Sequence, residues 1–262
     1  MDLWAHNLRR LATIAALTWI PAYLVQLVLG LALDVPGRMR AITAAARGVG
    51  SVDAGSGAAI AAYSLASVAV LLVALPLSHG ALIAALGCLE RGAPCHTRDC
   101  YRQALDRYWS FLGALLLISL LILLAEAGLL VLGVLLATVV GGSAALLLLL
   151  VAVGLALPLL LAVPFTVAPQ AVVLEQARVL EALARSRRLL AGRYLSALGL
   201  LIVLGVAGWL VTLLAGVPVR LSAAAGSEVQ MVASAITSML AAVLVAPLTV
   251  AVLTSLYFEA RG

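Results

Sequence analysis

Residues 108–140 read YWSFLGALLLISLLILLAEAGLLVLGVLLATVV, and one charged side chain, Glu126, interrupts them. A helix needs about 20 apolar residues to cross a hydrocarbon core about 30 Å thick. This stretch exceeds that length, so it predicts a membrane helix that tilts or extends beyond the lipid. Gly141, Gly142 and Ser143 predict a turn, and a second long apolar run follows at 144–174. Working outward, further runs stand at 11–33, 58–86, 195–215 and 231–256. None alternates with period two, as barrel strands do, and backbone in lipid must satisfy its hydrogen bonds within the segment. The expectation is an all-α polytopic membrane protein with six transmembrane helices, forming a single membrane domain over residues 1–262.

Composition excludes a water-soluble fold. Hydrophobic residues make up 65% of the chain and charged residues 10%, and the mean hydropathy is +1.20. Soluble domains are roughly half apolar and a quarter charged. The net charge of +5 comes from arginine alone, because the chain has no lysine. These arginines sit in short segments between apolar runs, where anionic lipid headgroups are the expected partner. No stretch joins a dense basic face to stacking aromatics, so nucleic acid is not expected. The first run has a basic flank in His6, Arg9 and Arg10. It is longer than a signal-peptide core and no clear cleavage site follows, so a retained helix is expected.

Six crossings place both termini and the segments 87–107 and 175–194 on one side. That side carries twelve of the 16 arginines, and the other carries Arg38, Arg40, Arg47 and Arg220. The positive-inside rule then predicts cytoplasmic termini.

A repeat divides the chain at about 1–91, 92–178 and 179–262. The second, fourth and sixth runs each contain Pro, Leu or Phe, then Ser or Thr: Pro76-Leu77-Ser78, Pro164-Phe165-Thr166 and Pro247-Leu248-Thr249. A glutamate follows at each exit, namely Glu90, Glu175 and Glu259. A Leu-x-Arg precedes each odd run, at Leu8 to Arg10, Leu105 to Arg107 and Leu183 to Arg185. The unit reads as a helical hairpin, three times over. Each proline lacks an N–H and frees the carbonyl four residues earlier, which a nearby hydroxyl or a neighbouring helix must satisfy. Three kinks at one depth predict that the even helices pack together, around either a cavity or a solid core. The exit glutamates are expected to pair with the lead-in arginines of adjacent repeats.

The segments before the third and fifth runs are amphipathic. Tyr101, Leu105, Tyr108 and Leu112 fall on one helical stripe. Glu181, Arg185 and Arg188 share a face, and Val179, Leu183 and Leu190 cluster on another. Two placements fit: helices lying in the headgroup plane, or extensions of the helices that follow. In the first placement Arg102, Arg107, Arg178, Arg185, Arg187, Arg188 and Arg193 are candidate headgroup contacts.

With these features laid out, residues 163–193, VPFTVAPQAVVLEQARVLEALARSRRLLAGR, resemble a signature of one membrane-domain family. That domain occurs in some prokaryotic glycerophosphodiester phosphodiesterases and in stand-alone proteins. The residues that carry the likeness are Glu175, Glu181-Ala182-Leu183-Ala184-Arg185-Ser186, Arg188 and Gly192. The ending APLTVAVLTSLYFEARG, with Leu256-Tyr257 and Glu259-Ala260-Arg261, and the segment LERGAPCHTRDCYRQALDR are also similar. The resemblance implies six helices in a prokaryotic cytoplasmic membrane. It does not imply an enzyme, because hydrolysis in the fused members belongs to a separate soluble barrel.

Residues able to carry chemistry are few. Glu126 is costly in lipid, so it either snorkels to the interface or faces the interior as a coupling group for protons or cations. His79, three residues past Pro76, is a titratable candidate near the boundary. Cys88, Cys95, His96 and Cys100 lie close in sequence but lack tight zinc-knuckle spacing, so no metal or other cofactor is expected. No phosphate loop, dinucleotide fingerprint or H-E-x-x-H is present. The expected function is a non-catalytic scaffold, accessory or lipid-interacting protein, with a protein partner or a second copy as a further contact. The alternative is a small transporter or lipid-handling carrier with a path between the proline-kinked helices. An interior-facing Glu126 would favour the carrier.

Overall fold

The computed structural model describes residues 2–49, 53–93, 96–140, 144–221 and 226–261. Among the described residues the secondary structure is helical, with no strands. Among these residues ten α-helices follow one another: α1 (Asp2–Ala32), α2 (Val35–Ala46), α3 (Ala54–Glu90), α4 (Thr97–Asp106) and α5 (Tyr108–Val140), then α6 (Ala144–Ala162), α7 (Ala168–Leu174), α8 (Val179–Leu190), α9 (Tyr194–Leu221) and α10 (Ser227–Arg261). Six segments are long and apolar enough to cross a membrane: Asn7–Ala32, Gly55–Glu90, Tyr108–Leu136, Ala152–Leu174, Tyr194–Val219 and Glu228–Arg261. Their outer faces are apolar and bare, as at Leu65, Leu124 and Leu214. The protein is an all-α polytopic membrane protein.

The core is concentrated toward the end that holds the termini. Leu11, Ile14, Leu82, Leu86, Phe111, Val172, Leu190 and Tyr257 form one buried cluster there. A smaller cluster of Ala15, Trp19, Ala22 and Ala74 joins α1 to α3. The even-numbered spans meet in the middle, α3 packing against both α7 and α10. The odd spans lie outside, α1 between α3 and α10, and α9 beside α10 and the 163–165 turn.

Several sequence expectations need correction. The fourth run is not one kinked helix. α6 stops at Ala162, residues 163–165 form a 3-10 turn, and α7 starts at Ala168. Pro164 and Pro169 stand five residues apart, so two missing N–H donors and two freed carbonyls fall within little more than one turn, and the helix breaks there. The segments before the third and fifth spans are separate helices, α4 and α8, not extensions. α4 ends at Arg107, whose φ of -113° and ψ of 9° leave the helical region. Tyr101 and Tyr108 therefore lie on different helices, and Leu105 is exposed. Cys100 and Ala104 form the buried face of α4, and Ala182, Ser186 and Leu190 that of α8. The expected turn at 141–143 lies outside the described residues.

The third lead-in also shifts. Arg193–Tyr194 opens α9 just as Arg107–Tyr108 opens α5, so Arg193 rather than Arg185 is the counterpart of Arg107. The tyrosines show why this alignment matters. Pro76 frees the Leu72 carbonyl, and the Tyr108 hydroxyl donates to it at 3.0 Å. Pro164 faces the Leu160 carbonyl, and the Tyr194 hydroxyl donates to that at 2.9 Å. In both cases the next odd helix repairs the proline break, as a neighbouring helix must in lipid. At the third break, Pro247 with the Val243 carbonyl, the residue in the tyrosine's sequence position is Leu11, and no side chain among the described residues donates to that carbonyl. Tyr108→Phe and Tyr194→Phe should each cost roughly 0.6 kcal/mol, the mean for interhelical hydrogen bonds in a membrane. Tyr63→Phe, which removes a hydroxyl that has no protein partner among the described residues, serves as the control. Reversible unfolding in detergent checks this, and equal effects in all three would reject the repair.

α2 was not foreseen. Asp34 adopts φ 47° and its Oδ1 accepts from the Gly37 N–H at 3.2 Å, while Pro36 stands in the first turn. A carboxylate cap and a first-turn proline together start a helix.

Candidate functional site

The end of the bundle that holds the termini forms a floor of charged and polar contacts. Gln176, at φ 57°, turns the chain from α7 into α8. A non-glycine residue there costs about 1 kcal/mol. The turn is held because Arg107 Nη2 donates to Gln176 Oε1 at 2.6 Å and Gln103 Nε2 donates to the Val173 carbonyl at 3.1 Å. Ser186 Oγ donates to the Pro164 carbonyl at 2.8 Å and ties α8 beneath the 3-10 turn. α4 is tied to α1 by Tyr101, whose hydroxyl lies 2.6 Å from both the Ile14 carbonyl and Thr18 Oγ1. Burial pushes the ionisation of that hydroxyl up, so it stays neutral.

Glu175 is the hub. The buried Tyr257 hydroxyl donates to its Oε1 at 2.5 Å. Arg185 Nε lies 3.4 Å from Oε2, and Arg261 Nη1 lies 3.8 Å from Oε1. One carboxylate thus joins α7, α8 and the end of α10. Glu175 pairs with Arg185 of the next repeat, the arginine of Leu183-x-Arg185, rather than with Arg193, and Glu90 and Glu259 make no ion pair among the described residues. Arg193 reaches the last turn of α10 differently, donating from Nη1 to the Glu259 carbonyl at 2.6 Å.

Of the seven candidate headgroup arginines, Arg107, Arg185 and Arg193 are therefore spent on protein contacts. Arg102, Arg178, Arg187 and Arg188 are exposed and make no ion pair among the described residues. Arg188 Nε makes only a 3.4 Å bond to its own helix, at Ala184. The exposed four sit on α4 and at or within α8, on the faces turned from the core.

The remaining candidates are dispersed. Glu126 is exposed on α5, within the span Tyr108–Leu136, and lines none of the cavities described here. His79 is half-buried in α3. Pro76 and Pro247 are buried inside α3 and α10. Cys95 lies outside the described residues. Among the described residues no three His, Cys, Asp or Glu side chains come together to hold a metal ion. Cys100 is buried beneath α4, and Cys88 is half-buried.

At the opposite end, α2 packs across α1, α3 and α10 and borders an open cavity of about 570 Å³, with the exposed Arg40 and Arg47 at its rim. At 12 residues α2 is too short to stand out as a membrane span. Its signal was present nonetheless, because Pro36, Arg40, Thr43 and Arg47 recur at helical spacing.

Six apolar helices over a basic floor define a polytopic helical membrane protein. Its sequence belongs to the family described as Domain of unknown function (DUF7847), whose model matches residues 10–260. No curated protein and no solved structure matches the chain.

Proposed function

We propose that this is a non-catalytic accessory or scaffold protein of a prokaryotic cytoplasmic membrane, which binds anionic lipid through its floor. The arginine asymmetry orients both termini and the floor toward the cytoplasm. The resemblance of residues 163–193 to the membrane domain of glycerophosphodiester phosphodiesterases motivates the choice of membrane. The observation that carries the reading is the division among the floor arginines. Three are engaged by protein, while Arg102, Arg178, Arg187 and Arg188 stand exposed on α4 and at or within α8, helices whose other faces are buried. A basic residue near an anionic leaflet is worth about 1 kcal/mol.

The test replaces all four by glutamine and measures retained phosphatidylglycerol by native mass spectrometry from nanodiscs of mixed phosphatidylglycerol and phosphatidylcholine. Salt screens these exposed charges, so roughly a tenfold loss of preference is expected rather than the full sum. An unchanged preference would reject the floor as the lipid contact. The carrier reading keeps one supporting observation, the cavity beneath α2. Glu126 does not line that cavity, so proton coupling through it has no geometric basis.

A further inference from the structure

We propose that the cavity beneath α2 binds the headgroup of one acidic phospholipid, with the phosphate at Arg40 and Arg47 and the polar headgroup directed between α1, α3 and α10. This deepens the lipid-binding reading by naming a second, specific site at the other end of the bundle.

The cavity has two chambers. The wider one, about 570 Å³ and open outward, has an apolar wall that includes Pro36, Met39 and Met231, with Arg40, Thr43 and the C-capping Arg47 on the α2 side and Tyr63, Gln230 and Ser234 opposite. The deeper one, about 160 Å³, lies among Tyr23, Gln26, Tyr63, Ser234 and Ser238. Tyr63, Met231 and Ser234 line both, so the chambers adjoin.

Two observations point independently to an anionic, hydrogen-bonding ligand. The first is charge. Arg40 lies on α2 and Arg47 caps its C-terminal end seven residues on, and both border the same cavity. Neither makes an ion pair among the described residues. The nearest carboxylates in sequence are occupied otherwise: Asp34 caps α2 through the Gly37 N–H, and Asp53 caps α3 through the Gly55 N–H. The second is the polar lining at membrane depth. Gln26, Tyr63, Gln230 and Ser238 line the chambers, and none has a side-chain hydrogen bond to protein among the described residues. Polar side chains inside a membrane span are costly unless partnered. An acyl chain gives them nothing, whereas a phosphate-bearing headgroup supplies both acceptors and charge. Basic pockets between membrane helices on the cytoplasmic side bind such headgroups through this chemistry, and the same donors and charge are present at this end. The acyl chains then stay in the bilayer beside the bundle.

Gly30 keeps the chambers open. A side chain there would collide with the flexible tip of Met231, which lines both, and would have to displace it.

Native mass spectrometry of the protein released from phosphatidylcholine nanodiscs containing a minority of phosphatidylglycerol provides the test. The unmodified protein should retain one phosphatidylglycerol through activation that strips the others. The doubly substituted Arg40→Gln/Arg47→Gln protein should lose it at least tenfold more readily. Thr43→Trp, which fills the wider chamber from an exposed helix position, should do the same without touching a charge. Arg187→Gln/Arg188→Gln should retain it, so failure of the floor reading and failure of this one are distinguishable. Retention unchanged by both cavity variants would overturn the proposal. So would a thermal shift with inorganic phosphate in pure phosphatidylcholine nanodiscs without lipid retention, which would assign the site to a soluble anion.

Discussion

A Glu175→Leu protein should melt about 5 °C below the unmodified one. The effect follows from what the carboxylate holds. Tyr257 is fully buried, and its hydroxyl has Glu175 as its partner. With leucine there, that hydroxyl is left without an acceptor in the core, which costs about 2 kcal/mol. Arg185 and Arg261 lose their counter-ion as well, but both are partly exposed, so water recovers most of that loss. For a chain of this size 1 kcal/mol corresponds to roughly 2–4 °C. Glu175→Gln separates the two contributions. It keeps an acceptor for Tyr257 and removes only the charge, so it should melt within about 2 °C of the original. Tyr257→Phe, which removes the donor and leaves the ion pairs, should also be mild because no buried group is stranded. If Glu175→Gln proved as damaging as Glu175→Leu, the ion pairs rather than the tyrosine would be the dominant tie.

The difference between Glu175 and its sequence counterparts shows what could be read in advance. The spans were legible because lipid admits few backbone solutions, and an uninterrupted stretch such as 108–140 has only one. The proline steps were legible for the same reason, since a missing N–H is a property of the residue itself. The group that answers each freed carbonyl was not. Tyr108 and Tyr194 look in sequence like ordinary interfacial aromatics, and their reach to Leu72 and Leu160 depends on which odd helix lies beside which even one. The exit glutamates suffered similarly. Their pairing was inferred from charge alone, yet Glu175 gained its shortest contact from a neutral phenol on another repeat. The cavity end was hidden by scale: α2 is too short to register as a span, and its polar lining comes from three other helices. Glu126 marks the converse limit. Its neighbours established that it sits in a span, but only packing decides which way a helix face turns, and here it turns outward.

Gly80→Leu should release α4 from the bundle and expose Cys100 to thiol reagents. α4 lies against α3 at closest approach where Gly80 meets Ala104, and a methyl group added at Gly80 would stand 3.0 Å from the Ala104 side chain and 3.5 Å from its backbone. Backbone cannot step aside as a side-chain tip can, so a leucine there must push the helix away. Overpacking of this kind costs about 1–3 kcal/mol. α4 has little to set against that. It spans 10 residues, buries only Cys100 and Ala104, and is tied laterally through Tyr101 and Gln103. An isolated helix of that length is marginal in water, so loss of the α3 contact should cost α4 its fold as well as its place. Cys100 reports the event directly, being 1% exposed in the intact protein. In a Cys88→Ala/Cys95→Ala background, maleimide labelling of Cys100 should rise at least tenfold with Gly80→Leu and stay low with the glycine in place. The six spans do not depend on this contact, so the protein should still insert and remain in detergent as a monodisperse species. Slow labelling that persists in the Gly80→Leu protein would mean that α4 is held by Tyr101 and Gln103 rather than by its packing on α3.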